Sequence, residues 1–141
     1  MSKSGVIIAV DDDQDDKDLL VMLIRDCGYS HMVRWFNNTF DAFDHMKNTD
    51  EIMSIIFCDV NMPKRNGLEF KKAIDKDPVL RKKSIPFIFF STAANQHDVD
   101  VAYSEMTCQG FFKKSHCYDE NKRNIGLIME YWTACAHPNM Q

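Results

Sequence analysis

Four short polar segments each follow an apolar run. Asp11-Asp12-Asp13 follows residues 5–10, and Asp59 follows 52–58 and leads into Val60-Asn61-Met62-Pro63. Ser91-Thr92-Ala93 follows 86–90, and Lys113-Lys114 follows 110–112. Clustered carboxylates repel, and their pKa values rise unless something compensates. A hard dication is the simplest compensation. Mg2+ takes oxygen ligands, keeps several waters and needs few carboxylates beside a phosphate oxygen. The Lys114 ammonium and the Ser91 hydroxyl would add donors from the other side. Brought together, these groups describe a site for an anionic phosphoryl group beside a metal. An aspartate can itself be the acceptor in such a site. In-line transfer then asks for positioning and charge neutralisation. Taken singly, each acid is ordinary: Asp13, Asp15 and Asp16 also suit the cap and first turn of a helix. Their joint placement carries the reading.

An alternation of elements must bring these segments together. Residues 5–10 are apolar throughout, as in a strand covered on both faces. Over 15–27, Leu19, Leu20, Leu23, Ile24 and Cys27 recur at helical spacing, and Gly28 is a stop signal. Residues 31–36 read as a second strand. Residues 39–48 read as a second helix with Thr39 near its cap. A third strand spans 52–58. A third helix spans 68–76, with Pro78 just beyond it. The fourth strand spans 86–90, with Pro86 tolerable at its first position. Val99, Ala102, Tyr103 and Met106 share one face of a fourth helix, and 110–112 form a short fifth strand. Ile125, Ile128, Met129, Trp132 and Cys135 make the buried stripe of a last helix. Arg81-Lys82-Lys83 reads as a solvated loop, and Met22, Trp35 and Cys58 as packing residues. This order predicts an α/β fold: one five-stranded parallel sheet with right-handed crossovers and helices on both faces. Such sheets bind ligands outside the carboxyl ends of their strands, where all four polar segments fall.

Composition narrows the class further. A chain of 141 residues is one domain, since domains run about 100–200 residues. With 45% hydrophobic and 27% charged residues it is globular in composition. Its apolar runs are too short to span a bilayer, and no secretory signal precedes the first strand. The net charge of −4 and the scattered basic residues lack a nucleic-acid footprint. Five cysteines, an odd number with no C-x-x-C pair, suit a reduced, cytoplasmic chain with mostly buried thiols.

The chain resembles a response-regulator receiver domain of two-component signalling over nearly its whole length. The matching motifs are Val10-Asp11-Asp12, Asp59-Val60-Asn61-Met62-Pro63 followed by Asn66-Gly67, Ser91-Thr92-Ala93, and Phe111-Phe112-Lys113-Lys114. The stretch 77–86 and the closing Glu130-Tyr131-Trp132 are similar to stand-alone receivers of the cyanobacterial phytochrome-regulator type. The resemblance implies a flavodoxin-like sheet of order 2-1-3-4-5 and a single receiver domain over 1–141 with no effector domain. It implies Asp59 as phosphoacceptor, and Mg2+ held by Asp11, Asp12, Asp59 and the backbone carbonyl of Asn61, with Asp12 the more direct ligand. Lys114 would pair with the phosphoryl oxygens, Ser91 would be the switch hydroxyl, and Phe111 the switch aromatic. Neighbouring strand residues point to opposite faces, so only one of Ser91 and Thr92 can face Asp59; Ser91 is expected to. Core packing is the competing reading for Phe111, which lacks the hydroxyl many receivers use. Two positions depart from the pattern. Ser115 stands where the family usually has proline, so a trans Lys114-Ser115 bond is expected. A cis bond there costs about 2.5–4 kcal/mol before a non-proline residue. Ala93 offers no polar group to direct water.

The implied function is a phosphoacceptor switch rather than a turnover enzyme. A histidine kinase or a histidine phosphotransfer protein would donate the phosphoryl group. The output would be altered binding of a downstream protein, or a homodimer, on the face of the fourth helix, fifth strand and last helix. The chief alternative is a Mg2+-dependent phosphohydrolase with an aspartyl-phosphate intermediate. Its usual second acid, two residues past the nucleophile, is here Asn61. An unphosphorylated adaptor is a third reading, and the presence of every key acid argues against it.

Overall fold

Three segments, β1 (Val6–Val10), β3 (Met53–Cys58) and β4 (Phe87–Ser91), are buried at every residue. That is the condition of central strands covered on both faces. In the computed structural model, which describes residues 5–92 and 95–136, they alternate with helices. The remaining elements are α1 (Gln14–Asp26), β2 (Val33–Phe36), α2 (Thr39–Asn48), α3 (Gly67–Lys76), α4 (Pro78–Lys83), α5 (Gln96–Glu105), β5 (Gly110–Lys113) and α6 (Tyr118–Ala134). All strands pair in parallel, in the order β2-β1-β3-β4-β5. This is the flavodoxin-like order that the resemblance implies, and the parallel sheet with helices on both faces is the one the alternation of elements predicts.

Strand alternation splits the core in two. Ile7, Ala9, Ile55, Phe57, Ile88 and Phe90 pack against α1 and α6 through Leu20, Leu23, Ile24, Ile125, Ile128 and Met129. Ile8, Val10, Ile56, Cys58, Phe87 and Phe89 pack on the opposite side against Ala42, Met46, Phe70, Ile74, Leu80, Ala102 and Met106. Successive side chains of each strand feed opposite layers. No helix among the described residues is long and apolar enough to cross a membrane.

Several local expectations change. Arg81-Lys82-Lys83 is not a loop but the last turn of α4. The Asp77 carboxylate accepts from the N–H groups of Val79 and Leu80 at 2.9 and 3.1 Å, and Pro78 occupies the first turn. Pro78 therefore starts a helix rather than only ending one. Leu80 anchors this helix in the core, and Lys83 Nζ donates to the Met46 and Thr49 carbonyls at the end of α2. The cap of α2 is Asn38, whose side chain accepts from Asp41 N–H at 2.8 Å; Thr39 is buried just inside. Tyr103 does not join the buried face of α5. It is 56% exposed, and its hydroxyl accepts from the Phe111 N–H at 3.0 Å, on the outer edge of β5. Met22, expected to pack, is 54% exposed.

Candidate functional site

The sheet order reverses between β1 and β3, and the crevice at that reversal is where a doubly wound sheet binds ligands. Val10 pairs with Cys58, and Asp59 N–H donates to the Val10 carbonyl at 2.9 Å. Asp11 and Asp59 therefore leave the sheet side by side. On the next strand Cys58 pairs with Phe89, so Ser91 stands two residues further out. Its hydroxyl donates to Asp59 Oδ1 at 2.5 Å, while Thr92 is exposed. Ser91 pairs in turn with Lys113, and Lys114 N–H donates to the Ser91 carbonyl at 3.0 Å. Four strand ends thus converge on one carboxylate.

Lys114 Nζ lies 2.7 Å from Asp11 Oδ2, 3.2 Å from Asp16 Oδ2 and 4.0 Å from Asp59 Oδ2. Carboxylate oxygens of Asp11, Asp16 and Asp59 all lie within 4.8 Å of one another. Burial pushes the Asp11 carboxyl above its ordinary range, against the Lys114 ammonium and the Asp13 N–H, and the Asp59 charge adds to the rise. Burial opposes the charge on Lys114, but Asp11, Asp59 and Asp16 outweigh it and hold the ammonium firmly protonated. Three acids facing one cation leave an excess of negative charge at the sheet's end. That donor set is all hard oxygen, and it fits a divalent cation such as Mg2+ or Mn2+.

The expected site residues divide. The structure brings Asp11, Asp59, Ser91 and Lys114 together. Asp12 and Asn61 are exposed, and Asp12 is not in the carboxylate group. Asp11 and Asp12 both lie just beyond the end of β1, where the strand's alternation no longer applies. The third acid is Asp16, read from the sequence only as a first-turn residue of α1. Asp13 caps that helix, its carboxylate accepting from the Asp15 and Asp16 N–H groups. The signal for Asp16 lay in its phase. Asp16, Leu20 and Leu23 fall at i, i+4 and i+7, so the acid heads the buried stripe of α1. Phe111 is half-buried and packs on Phe89 with ring centroids 5.3 Å apart. Ala93 lies outside the described residues. Cis peptide bonds are absent among the described residues, so Lys114-Ser115 is trans.

Neighbouring groups hold the acids in place. Trp35, expected only to pack, donates its indole N–H to the Asp11 carbonyl at 2.8 Å. Cys58 Sγ donates to the Asp59 carbonyl at 3.1 Å, and burial keeps this thiol far from ionising. Gly67 opens α3 directly against the phosphoacceptor candidate: a Cβ there would stand 2.3 Å from the Asp59 carbonyl oxygen. Asn66 and Glu69 close a capping box around it.

Known proteins share this architecture. The chain is 24% identical to the response regulator Rcp1 of Synechocystis sp. over 132 residues, covering 90% of this chain and 88% of that one. The crystal structure of the Mn2+-bound form of Rcp1 superposes with a TM-score of 0.78 at 22% identity, covering 94% and 96% of the two chains. The phosphorylated cyanobacterial phytochrome response regulator RcpA gives 0.79 at 23% identity, with 94% and 96% covered. A receiver domain from Rhodospirillum rubrum gives 0.81 at 17% identity, with 96% and 99% covered. Residues 7–122 match the family described as the response regulator receiver domain. Fold, strand-end acids and family match agree, and the chain belongs to the response regulator receiver domain family.

Proposed function

We propose that this chain, as a single receiver domain, is a Mg2+-dependent phosphoacceptor switch in which Asp59 takes the phosphoryl group. The carrying observation is the convergence on Asp59 of the Ser91 hydroxyl, the Lys114 ammonium and two further carboxylates. An oxygen of Asp59 attacks phosphorus in line, and the bond from phosphorus to the nitrogen of a donor phosphohistidine breaks. The donor is a histidine kinase or histidine phosphotransfer protein. Lys114 offsets charge on the phosphoryl oxygens, and Ser91 exchanges its bond to the carboxylate for one to a phosphoryl oxygen. Mg2+, when bound, would offset the negative charge on the Asp59 carboxylate and the transferring phosphoryl oxygens. Asp11, Asp16 and Asp59 would hold it, with exposed Asp12 and the Asn61 carbonyl as the further oxygen donors that the resemblance assigns.

The group on Asp59 then carries about −1.5 to −2 in place of the carboxylate's single charge; this pulls on Ser91 at the end of β4 and shifts α5. Phe111 lies beside that path, against Phe89. Output is then altered binding of a protein target, or pairing of two copies, in the cytoplasm. Mn2+ in Rcp1 and phosphorylation of RcpA, proteins of the same fold, support the reading. The deciding experiment is incubation with Mg2+ and acetyl phosphate, followed by intact mass. One added phosphoryl group, lost in Asp59→Asn, is expected. Continuous release of phosphate from small phosphomonoesters would instead identify a phosphohydrolase.

A further inference from the structure

Lys114 is followed by Ser115, whose backbone carries an N–H that proline would lack. One side chain holds both polar groups of that backbone. Ser115 N–H donates to Asn121 Oδ1 at 2.8 Å, and Asn121 Nδ2 donates to the Ser115 carbonyl at 2.9 Å. Asn121 is only 2% exposed and stands at the head of the buried stripe that continues through Ile125 and Ile128. An amide at such a position is costly unless its donors and acceptors are met. Here they are met by Ser115. The Ser115 hydroxyl also accepts from the Cys117 N–H at 3.0 Å, which closes the turn into α6.

The backbone of Lys114 is thereby held on both sides. Upstream, its N–H is bonded to Ser91, whose hydroxyl touches Asp59. Downstream, Ser115 is clamped by Asn121. The lysine stem leaves this fixed segment and threads past the Phe90 ring to Asp11 and Asp16. We propose that Asn121 is a positioning residue for Lys114: its amide, acting through the Ser115 backbone, fixes the line along which the ammonium enters the carboxylate group. Part of the test rests on the phosphoacceptor reading above, and part does not.

Two variants serve, Asn121→Ala and the bulkier Asn121→Leu, which fills the space if the alanine variant does not fold. The first readout is acetylation of lysines by a water-soluble activated ester, followed by peptide mass. Lys71, in α3 and only 4% exposed, is the internal control. Labelling of Lys114 is expected to rise severalfold while Lys71 stays protected. No rise at Lys114, or an equal rise at Lys71, overturns the proposal, the latter because it marks general loosening. The second readout is the rate of Asp59 phosphorylation by acetyl phosphate with Mg2+, expected to fall by about tenfold when the lysine is misdirected. In a Lys114→Met background the same Asn121 change should have no further effect; an undiminished effect there overturns the proposal. Failure of the unaltered protein to take up phosphate would refute the phosphoacceptor reading, while selective labelling of Lys114 would still uphold the role of Asn121.

Discussion

Lys114→Met keeps the unbranched stem and removes the ammonium that three carboxylates share. In the folded protein that ammonium lies 2.7, 3.2 and 4.0 Å from Asp11, Asp16 and Asp59. Two unit charges 4 Å apart interact by about 4 kcal/mol at an effective dielectric near 20. Three attractions of this order balance the mutual repulsion of acids lying within 4.8 Å of one another. Without the lysine only the repulsions remain. Removing one partner from a buried charge group costs about 3–5 kcal/mol, a large part of a typical total of about 5–15 kcal/mol. For a chain of this size the melting temperature should fall by about 10 °C in chelator at pH 7. Mg2+ at millimolar concentration should restore much of the loss and raise the variant more than the parent, because the dication neutralises the charge the ammonium had offset. Lowering the pH should also narrow the gap. Burial already raises the folded pKa of Asp11, and loss of Lys114 raises it further. A carboxyl raised on folding costs stability above its folded pKa, and that cost disappears as pH falls toward the unfolded value. Thermal melts followed by circular dichroism, with chelator or Mg2+ and from pH 7 to 5, provide the measurement. A variant melting within about 2 °C of the parent in chelator, or equal gains from Mg2+ in both proteins, would refute the reasoning.

Asp16→Asn should weaken Mg2+ binding, read by the fluorescence of Trp35 in a Trp132→Phe background, since Trp35 is bonded to the Asp11 carbonyl; an unchanged titration would remove Asp16 from the ligand set. Gly67→Ala places a methyl 2.3 Å from the Asp59 carbonyl oxygen, so it should destabilise the protein by about 1–3 kcal/mol, as overpacking does. It should also slow phosphorylation, and urea melts superposing on the parent's would contradict the contact. For Asp75, burial pushes the carboxyl up, but Lys71 and the Thr107 N–H and hydroxyl outweigh it and hold the pKa below the usual range. A carboxyl depressed on folding adds stability above its unfolded pKa of about 3.9 and loses it as pH falls through the folded value. Asp75→Asn should therefore be less stable than the parent at pH 7, with the difference shrinking below about pH 4; a gap that stays constant down to pH 3 would disprove the pairing.

Sequence alone determined the strands and the site's location. Residues of β1, β3 and β4 are apolar on both faces because both faces are covered, and that pattern needs no knowledge of partners. The acids, hydroxyl and lysine fall at strand ends, and parallel topology sends every such end to the same side of the sheet. Strand alternation allowed only one of Ser91 and Thr92 to face Asp59, and the resemblance chose Ser91. Tertiary structure decided what depends on atoms distant in sequence. Helix α4 has one core residue, Leu80, too few for a period; its start depends on the Asp77 carboxylate and its end on carbonyls of α2. Tyr103 sits at helical spacing with buried neighbours, yet its hydroxyl finds the unpaired edge N–H of Phe111 and keeps the ring outside. Asp12 and Asp16 are alike in type, and only the packing of α1 on the sheet turns the second toward Lys114. Asn121 had no chemical signature at all, because its partners are backbone atoms of Ser115, and backbone atoms are the same in every sequence until folding gives them an address.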